Sequence, residues 1–419
     1  SSEQNTLTDQ TIQVVEGIER PIQFKVFAKK EQFGAIRKLL ELYRLENSRV
    51  EMSFVDVELR PDLVKAEEVT KPGTIILKIG EKREKVTKLN ELNVTNALVK
   101  LTRLENPTVY FTTGHGERQL ESKEENGLFH LMKLVQKSNF ELRRLNLLSV
   151  GNIPSDSKVL VLWGPTQTLS PEIVKKLAQF MDRGGRLIVG HGPNLNQDKQ
   201  PHLRKLLRTW GVDLKNSLVI DQVKHINGSQ GTVPLINEFE TSSPLTKDFS
   251  GTVFFPLASP AFPLKNQEKR VRLIPIVETS PYPASWVETS VNEIVEGEIT
   301  YDEDRDIKGP IPLGVTAEER PDPESGEEKN LSHLVVFGNS RFVTNSYEKF
   351  EKNFQLFLNA LNWTSGEDRL ISLNVPVMKN EPVFISTPQL GVIFYFSVIF
   401  APLILFIIAF WVYRQKTVG

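Results

Sequence analysis

The sequence contains no cysteine. That excludes a disulfide scaffold, a thiolate metal site, a cysteine nucleophile and a CxxC redox centre. The compartment stays open, although an oxidising one suits a chain without stray thiols. An excess of charge is missing too: 51 Lys+Arg against 52 Asp+Glu leave a net charge of −1. A dedicated nucleic-acid binder needs a basic surplus, so that class is set aside. Several motifs are absent. No GxxxxGK followed by Ser or Thr is present to cradle a phosphate, no HExxH or HxH occurs among the six histidines, and no GxSxG offers a nucleophile elbow. Gly114-His115-Gly116 and Gly190-His191-Gly192 begin like dinucleotide fingerprints, but Gln119 and Leu195 stand where the third glycine belongs. Asp302, Asp304 and Asp306 alternate like calcium-loop ligands, yet Ile307 and Leu313 occupy the positions that need Gly and Glu. No metal, no cofactor and no catalytic residue is therefore assigned.

What is present is a globular composition, 39% hydrophobic and 25% charged over 419 residues, enough for two to three domains with real cores. The strongest single signal is Leu390 to Tyr413, 24 residues without a charge. As a helix this run reaches about 36 Å, longer than a hydrocarbon core of about 30 Å. Trp411 and Tyr413 sit at one end as interface aromatics, and Arg414 and Lys416 follow. By the positive-inside rule the tail 414–419 is cytoplasmic and everything before the span is extracytoplasmic, at the cell (inner) membrane. The chain opens with Ser1, so a cleaved signal or a further N-terminal anchor is expected to precede it.

Residues 1–105 alternate strand and helix patterns in the order β-α-β, then β-β-α. The strands are read at Ile22–Phe27, Val50–Val57, Thr74–Ile79 and Lys85–Val86; the helices are read at Glu31–Leu45 and Asn90–Arg103. This is the order of a thioredoxin-like domain, here without a CxxC, so it can serve only as scaffold or binding surface. Residues 106–370 read as a second, flavodoxin-like α/β domain: apolar strands at Thr108–Thr112, Lys158–Trp163 and Arg186–Val189 alternate with helices, which predicts a parallel sheet covered on both sides. Ser170-Pro171 is a helix start and Gly184-Gly185 its stop. Residues 288–330 carry 14 Asp+Glu against 4 Lys+Arg and read as an acidic insertion, within which Pro312–Thr316 can form a strand. Residues 371–389, with prolines at 376, 382 and 388, read as an extended linker to the membrane helix 390–413.

One constellation remains. Apolar strands end in Gly114-His115-Gly116-Glu117, Trp163-Gly164-Pro165-Thr166, Gly190-His191-Gly192-Pro193-Asn194 and Gly338-Asn339-Ser340-Arg341. In open α/β sheets ligands bind beyond the carboxyl ends of the strands. The candidate ligand-binding residues are therefore His115, Glu117, Trp163, His191, Asn194, Asn339 and Arg341, with Trp163 in place to stack on a sugar face. The competing reading is that these glycines make tight turns and the polar residues cap helices. His115 with Glu117 also has the makings of an acid–base pair, which keeps a cryptic hydrolase as an alternative.

Four segments carry a resemblance: Phe111–Glu117 (FTTGHGE), Val159–Val189, Val335–Asn345 (VVFGNSRFVTN) and Asn353–Arg369. In this order, followed by a terminal apolar run, the chain resembles the GldG-like family, auxiliary components of ABC transport systems named from gliding motility. The resemblance covers nearly the whole chain. It implies a membrane permease and a cytoplasmic ATPase as partners, an extracytoplasmic body, and a central domain similar to one in intraflagellar-transport proteins. It supplies no catalytic residues. The family's GHGE turn falls on His115 and Glu117, while Asn339 and Arg341 stand in a turn where the family usually has an acidic residue. The function expected is that of a membrane-anchored accessory subunit binding a substrate, an envelope glycan or a partner protein. A stand-alone binding module is the rival.

Overall fold

The computed structural model describes residues 6–102, 107–138, 140–194, 200–264, 270–297, 299–321, 331–366, 395–400 and 402–403. The first part builds α1 (Asp9–Glu16), β1 (Ile22–Ala28), α2 (Phe33–Glu46), β2 (Val50–Asp56), α3 (Pro61–Ala66), β3 (Thr74–Ile79), β4 (Lys82–Val86) and α4 (Glu91–Thr102). Its sheet runs β2-β1-β3-β4. β1 is parallel to β2 and antiparallel to β3, and β4 returns antiparallel to β3. This is the arrangement expected of a thioredoxin-like domain. Alternation assigns the faces: Phe24, Val26, Ile75 and Leu77 pack against Val15 of α1, Leu40 and Tyr43 of α2 and Leu98 of α4. On the opposite face Phe27, Val55 and Ile76 meet only Leu63, Val64 and a few further side chains. The helix that carries these two, α3, escapes the sequence patterning because it is six residues long and has no fully buried residue.

The second part continues with β5 (Thr108–Thr113), α5 (Phe129–Lys137), β6 (Glu141–Asn146), β7 (Val159–Trp163), α6 (Pro171–Asp182), β8 (Arg186–Gly190) and α7 (Pro201–Thr209). Short strands follow: β9 (Val212–Leu214), β10 (Leu218–Asp221), β11 (Leu235–Ile236), β12 (Val253–Phe254) and β13 (Ala261–Pro263). Then come β14 (Val271–Glu278), β15 (Ser285–Glu288), α8 (Val291–Glu296), β16 (Ile307–Lys308), β17 (Pro312–Glu319), β18 (His333–Phe337) and α9 (Glu351–Ser365). The main sheet has seven strands in the order β14-β17-β18-β8-β7-β5-β6. The five from β6 to β18 are mutually parallel. Two antiparallel strands, β17 and β14, extend its edge.

The sheet is therefore mixed, not parallel throughout. β17 and β18 follow one another in the chain and pair antiparallel, as consecutive strands readily do. β17 lies inside the acidic stretch 288–330, and its Leu313, Val315 and Ala317 are fully buried. Both sheet faces are covered, as expected. Val159, Val161 and Trp163 of β7 join the core with Leu131 of α5 and Phe357 of α9. Leu160 and Leu162 join the core with Leu177 of α6 and Leu207 of α7. The Ser170 hydroxyl accepts the Ile173 N–H at 3.4 Å and Pro171 opens α6, so that start was read correctly. α5 begins at Phe129, and residues 122–127 before it are held as a loop: the Asn345 side-chain amide donates to the Ser122 and Glu124 carbonyls at 2.8 and 2.7 Å.

Among the described residues no helix is long and apolar enough to cross a membrane. The linker 371–389 lies outside the described residues. So does most of the run 390–413, of which Tyr395–Phe400 forms a π-helical turn.

Candidate functional site

Parallel β5, β7, β8 and β18 bring their carboxyl ends to one edge. The chain leaves β5 for β6 on one side and returns to β7 on the other, which makes the β5–β7 crevice a topological switch point. The turns there close onto each other. The Arg118 N–H donates to the Trp163 carbonyl at 3.0 Å, and the N–H groups of Thr166 and Gln167 both donate to the His115 carbonyl at 2.9 Å. Gly116 has φ +71°, and a Cβ added to it would lie 2.1 Å from Thr166 Oγ1. A glycine is required there for both reasons.

His115 and Glu117 are brought together but turned inward. They are 4% and 8% exposed, and the Glu117 carboxylate accepts the His115 backbone N–H at 2.7 Å. His115 Nδ1 stands 3.9 Å from Glu117 Oε1, too far for a hydrogen bond, and neither atom has another partner. The pair braces its own turn and presents no proton-transfer group to solvent.

Trp163 is corrected. It is 1% exposed, its indole N–H donates to the Ser340 carbonyl at 3.0 Å, and its ring meets Phe357 edge-on at 5.0 Å between centroids. A face so enclosed cannot stack on a sugar. The neighbouring strand shows why the space is closed: a Cβ on Gly190 would sit 2.4 Å from the Trp163 ring.

Asn339 is fully buried and fully used. Its side-chain oxygen accepts the N–H groups of Arg341 and Phe342 at 2.6 and 2.9 Å, and its amide donates to the Pro256 and Leu257 carbonyls. It is a turn-former, as the capping reading held. His191 is buried, and that burial, with the like charge of Arg204 as the lesser cause, pushes its imidazole down to about 4. It is neutral at physiological pH. Asn194 is half-buried, and its backbone exchanges two hydrogen bonds of 2.8 Å with the Asn216 side chain. Arg341 alone of the seven is exposed.

The residue missed from sequence is Arg118, next after the GHGE turn. Its Nε donates to Ser340 Oγ at 3.2 Å and its Nη1 to the Asn126 carbonyl at 3.1 Å. Burial, reinforced by the nearby charge of Arg341, lowers its guanidinium to about 10. Tyr347, half-buried, lies close enough to feel both arginines; burial raises its phenol while their charges oppose the rise. The signal available in the sequence was a charged residue directly after a strand-end glycine turn. A shallow depression of about 690 Å³ opens beside this edge, lined by Gln119, Glu121, Ser122, Lys123, Glu124 and Arg144; none of the seven candidates lines it. Among the described residues no group of three or more His, Asp or Glu is placed to hold a metal ion.

Residues 106–371 match the family described as an ABC-type uncharacterized transport system. The chain belongs to that family. As a member it is an auxiliary component of an ABC-type transport system, in agreement with the GldG-like resemblance. Residues 1–99 match a second family, described only as a domain of unknown function. No curated protein matches. Among solved structures the chain is similar to the mmIFT52 N-terminal domain, at 15% identity and TM-score 0.42, covering 62% of this chain and 97% of that one. It is similar to a putative ThuA-like protein from Bacteroides uniformis at 13% identity and TM-score 0.34, covering 62% and 93%. A thioredoxin mutant from Halobacterium salinarum matches at 15% identity and TM-score 0.17, covering 24% and 89%. The fold assignment rests on the sheet order itself.

Proposed function

We propose that this member of the ABC-type transport family is a membrane-anchored, extracytoplasmic accessory subunit that acts by binding rather than by catalysis. The observation that carries the reading is the family match over residues 106–371, joined to the 24-residue charge-free run at Leu390–Tyr413. That run is long enough to anchor the body, and Arg414 and Lys416 behind it favour a cytoplasmic tail at the inner membrane. The partners are a permease in the same membrane and a cytoplasmic ATPase, since the sequence has no P-loop of its own. A thioredoxin-like unit without CxxC and a flavodoxin-like unit with its strand ends outward suit a scaffold that presents a binding edge to a substrate, an envelope glycan or a protein. The inward-turned His115 and Glu117 disfavour the hydrolase alternative.

Affinity purification of the full-length protein from membranes in mild detergent, followed by mass spectrometry, tests the proposal. A multi-span permease recovered together with a Walker-type ATPase is the expected result. Recovery of the chain alone, or with soluble envelope proteins only, overturns the transporter role.

A further inference from the structure

The geometry points to an oxyanion site at the strand-end edge, in which Arg118 and Arg341, with the hydroxyls of Ser340 and Tyr347, take a phosphoryl or equivalent dianionic group carried by the ligand. This deepens the binding reading above: it rests on the strand-end edge being the binding face, and not on the identity of the transporter partners.

Several arginines of this chain sit against carboxylates. Arg60 meets Asp62 at 2.7 Å, Arg143 meets Glu141 and Asp156 at 2.7 and 2.9 Å, and Arg208 meets Asp213 at 2.8 Å. Arg118 and Arg341 are different. Neither has a carboxylate within 4.0 Å among the described residues, and they meet at one turn: Arg118 Nε donates at 3.2 Å to the hydroxyl of Ser340, the residue directly before Arg341. Two guanidinium groups held together without a counter-ion repel one another, and partial burial of one raises the cost. Such an arrangement is relieved by an anion between them, which guanidinium forks bind with charge-assisted hydrogen bonds.

The donors are built in. Three hydrogen bonds fix the Arg118 guanidinium, through Nε to Ser340 Oγ and through Nη1 to the carbonyl and side-chain oxygens of Asn126, and leave Nη2 without a partner among the described residues. The exposed Arg341 guanidinium donates to no described residue. Its backbone is locked by the Asn339 side chain, so the head group springs from a rigid turn. Tyr347 sits three residues beyond Thr344, whose N–H and hydroxyl both return to the Arg341 carbonyl at 3.0 and 2.9 Å. The Tyr347 hydroxyl has no hydrogen bond to a described residue, and the charges of both arginines oppose the rise that burial gives its phenol. The segment is fastened to the 122–127 loop by the Ser346 N–H and hydroxyl, both donating to the Glu125 carbonyl at 3.0 Å. Arg118, Ser340, Arg341 and Tyr347 thus come from the β5 and β18 strand ends onto one firm patch beside the switch point, where doubly wound sheets hold their ligands.

Calorimetric titration of the full chain in detergent with sodium phosphate, against sodium chloride at matched ionic strength, tests the site. The expected result is saturable one-to-one phosphate binding that chloride does not compete away. Arg341→Gln, an exposed change that leaves every hydrogen bond named above in place, is expected to weaken phosphate roughly tenfold to a hundredfold with an unchanged melting temperature. Arg118→Gln is expected to weaken it at least as much. Absence of saturable phosphate binding to the wild type, equal competition by chloride, or undiminished affinity in Arg341→Gln overturns the proposal. The two readings fail separately. Phosphate binding without permease recovery removes the transporter role and leaves the site, whereas permease recovery without phosphate binding removes the site alone.

Discussion

The two largest sheets of this chain solve burial differently. In the four-stranded sheet one face carries a full core and the other a thin one, so its outer strand positions stay polar: Lys25, beside Phe27 on β1, pairs with Glu67 at 3.0 Å. In the seven-stranded sheet both faces are packed, and β7 is buried at every residue. A sheet covered on one side can use its open face. A sheet covered on both sides has only its strand ends left for chemistry, and here most polar groups at those ends are spent on holding turns. Asn339 and Glu117 serve the backbone, and Trp163 serves the core. The charge left over sits on Arg118 and Arg341.

The contrast can be broken most forcefully at Gly338. A Cβ there would lie 1.8 Å from the Ser259 carbonyl oxygen, so Gly338→Ala forces backbone apart at the end of β18. It is expected to cost more than about 3 kcal/mol and to abolish cooperative unfolding of the second part, as read by chemical denaturation. A matched pair then sharpens the comparison. Phe357 and Phe27 are both 0% exposed, but the first sits in the large core under α9 and the second in the thin cluster near α3. Phe357→Ala is expected to cost about 3–5 kcal/mol, and Phe27→Ala less, because a short half-exposed helix can collapse into the gap. Equal losses would show that the thin face is as rigid as the thick one.

The third difference is one of pH. All six histidines lie beyond residue 106. Burial lowers His191 and His333 to about 4, well below the unfolded value of about 6.5. Between those values the unfolded chain binds protons that the folded one refuses. Stability is therefore fully present above pH 6.5 and is lost as pH falls towards 4, by up to roughly 3 kcal/mol for each group. Hydrogen exchange corrected for intrinsic rates is expected to show protection falling in residues 107–366 between pH 6.5 and 5, with residues 6–102 unaffected. His191→Gln is expected to flatten part of that slope. The smallest effect belongs to the open face: Glu67→Gln removes partners of Lys25 and Arg83 at 3.0 and 3.2 Å and is expected to cost under about 1 kcal/mol by thermal melting.

Periodicity made most of the fold legible. The strands read at Ile22–Phe27 and Thr74–Ile79 correspond to β1 and β3, and the Ser170-Pro171 start predicted α6. Elements too short to show a period were missed: α3 has six residues, and β9 and β13 have three each. The strand pattern at Pro312–Thr316 marked β17, but its place in the main sheet depends on pairing with β14 and β18, which no local pattern shows. At the site, position was legible and orientation was not. Which turns meet at one edge follows from strand order. Whether a side chain there faces out depends on neighbours distant in sequence, as Trp163 depends on Gly190 and Ser340. One clue was nevertheless present, since Trp163 shares the face of Val159 and Val161 in a strand read as buried on both sides.

The register of β18 against β8 has a consequence for the order in which the molecule is made. During synthesis β8, with Leu187, Ile188 and Val189, is complete 142 residues before its partner His333–Phe337 begins. Until then one apolar strand edge has no pairing partner from its final sheet, and non-local pairing of this kind is slow and exposed to aggregation. The core under α9 waits longer still, for residues 351–365. The second part can close only once nearly all of it has been made, so its maturation depends on a nascent chain being kept apart from its neighbours until the last strand and helix arrive.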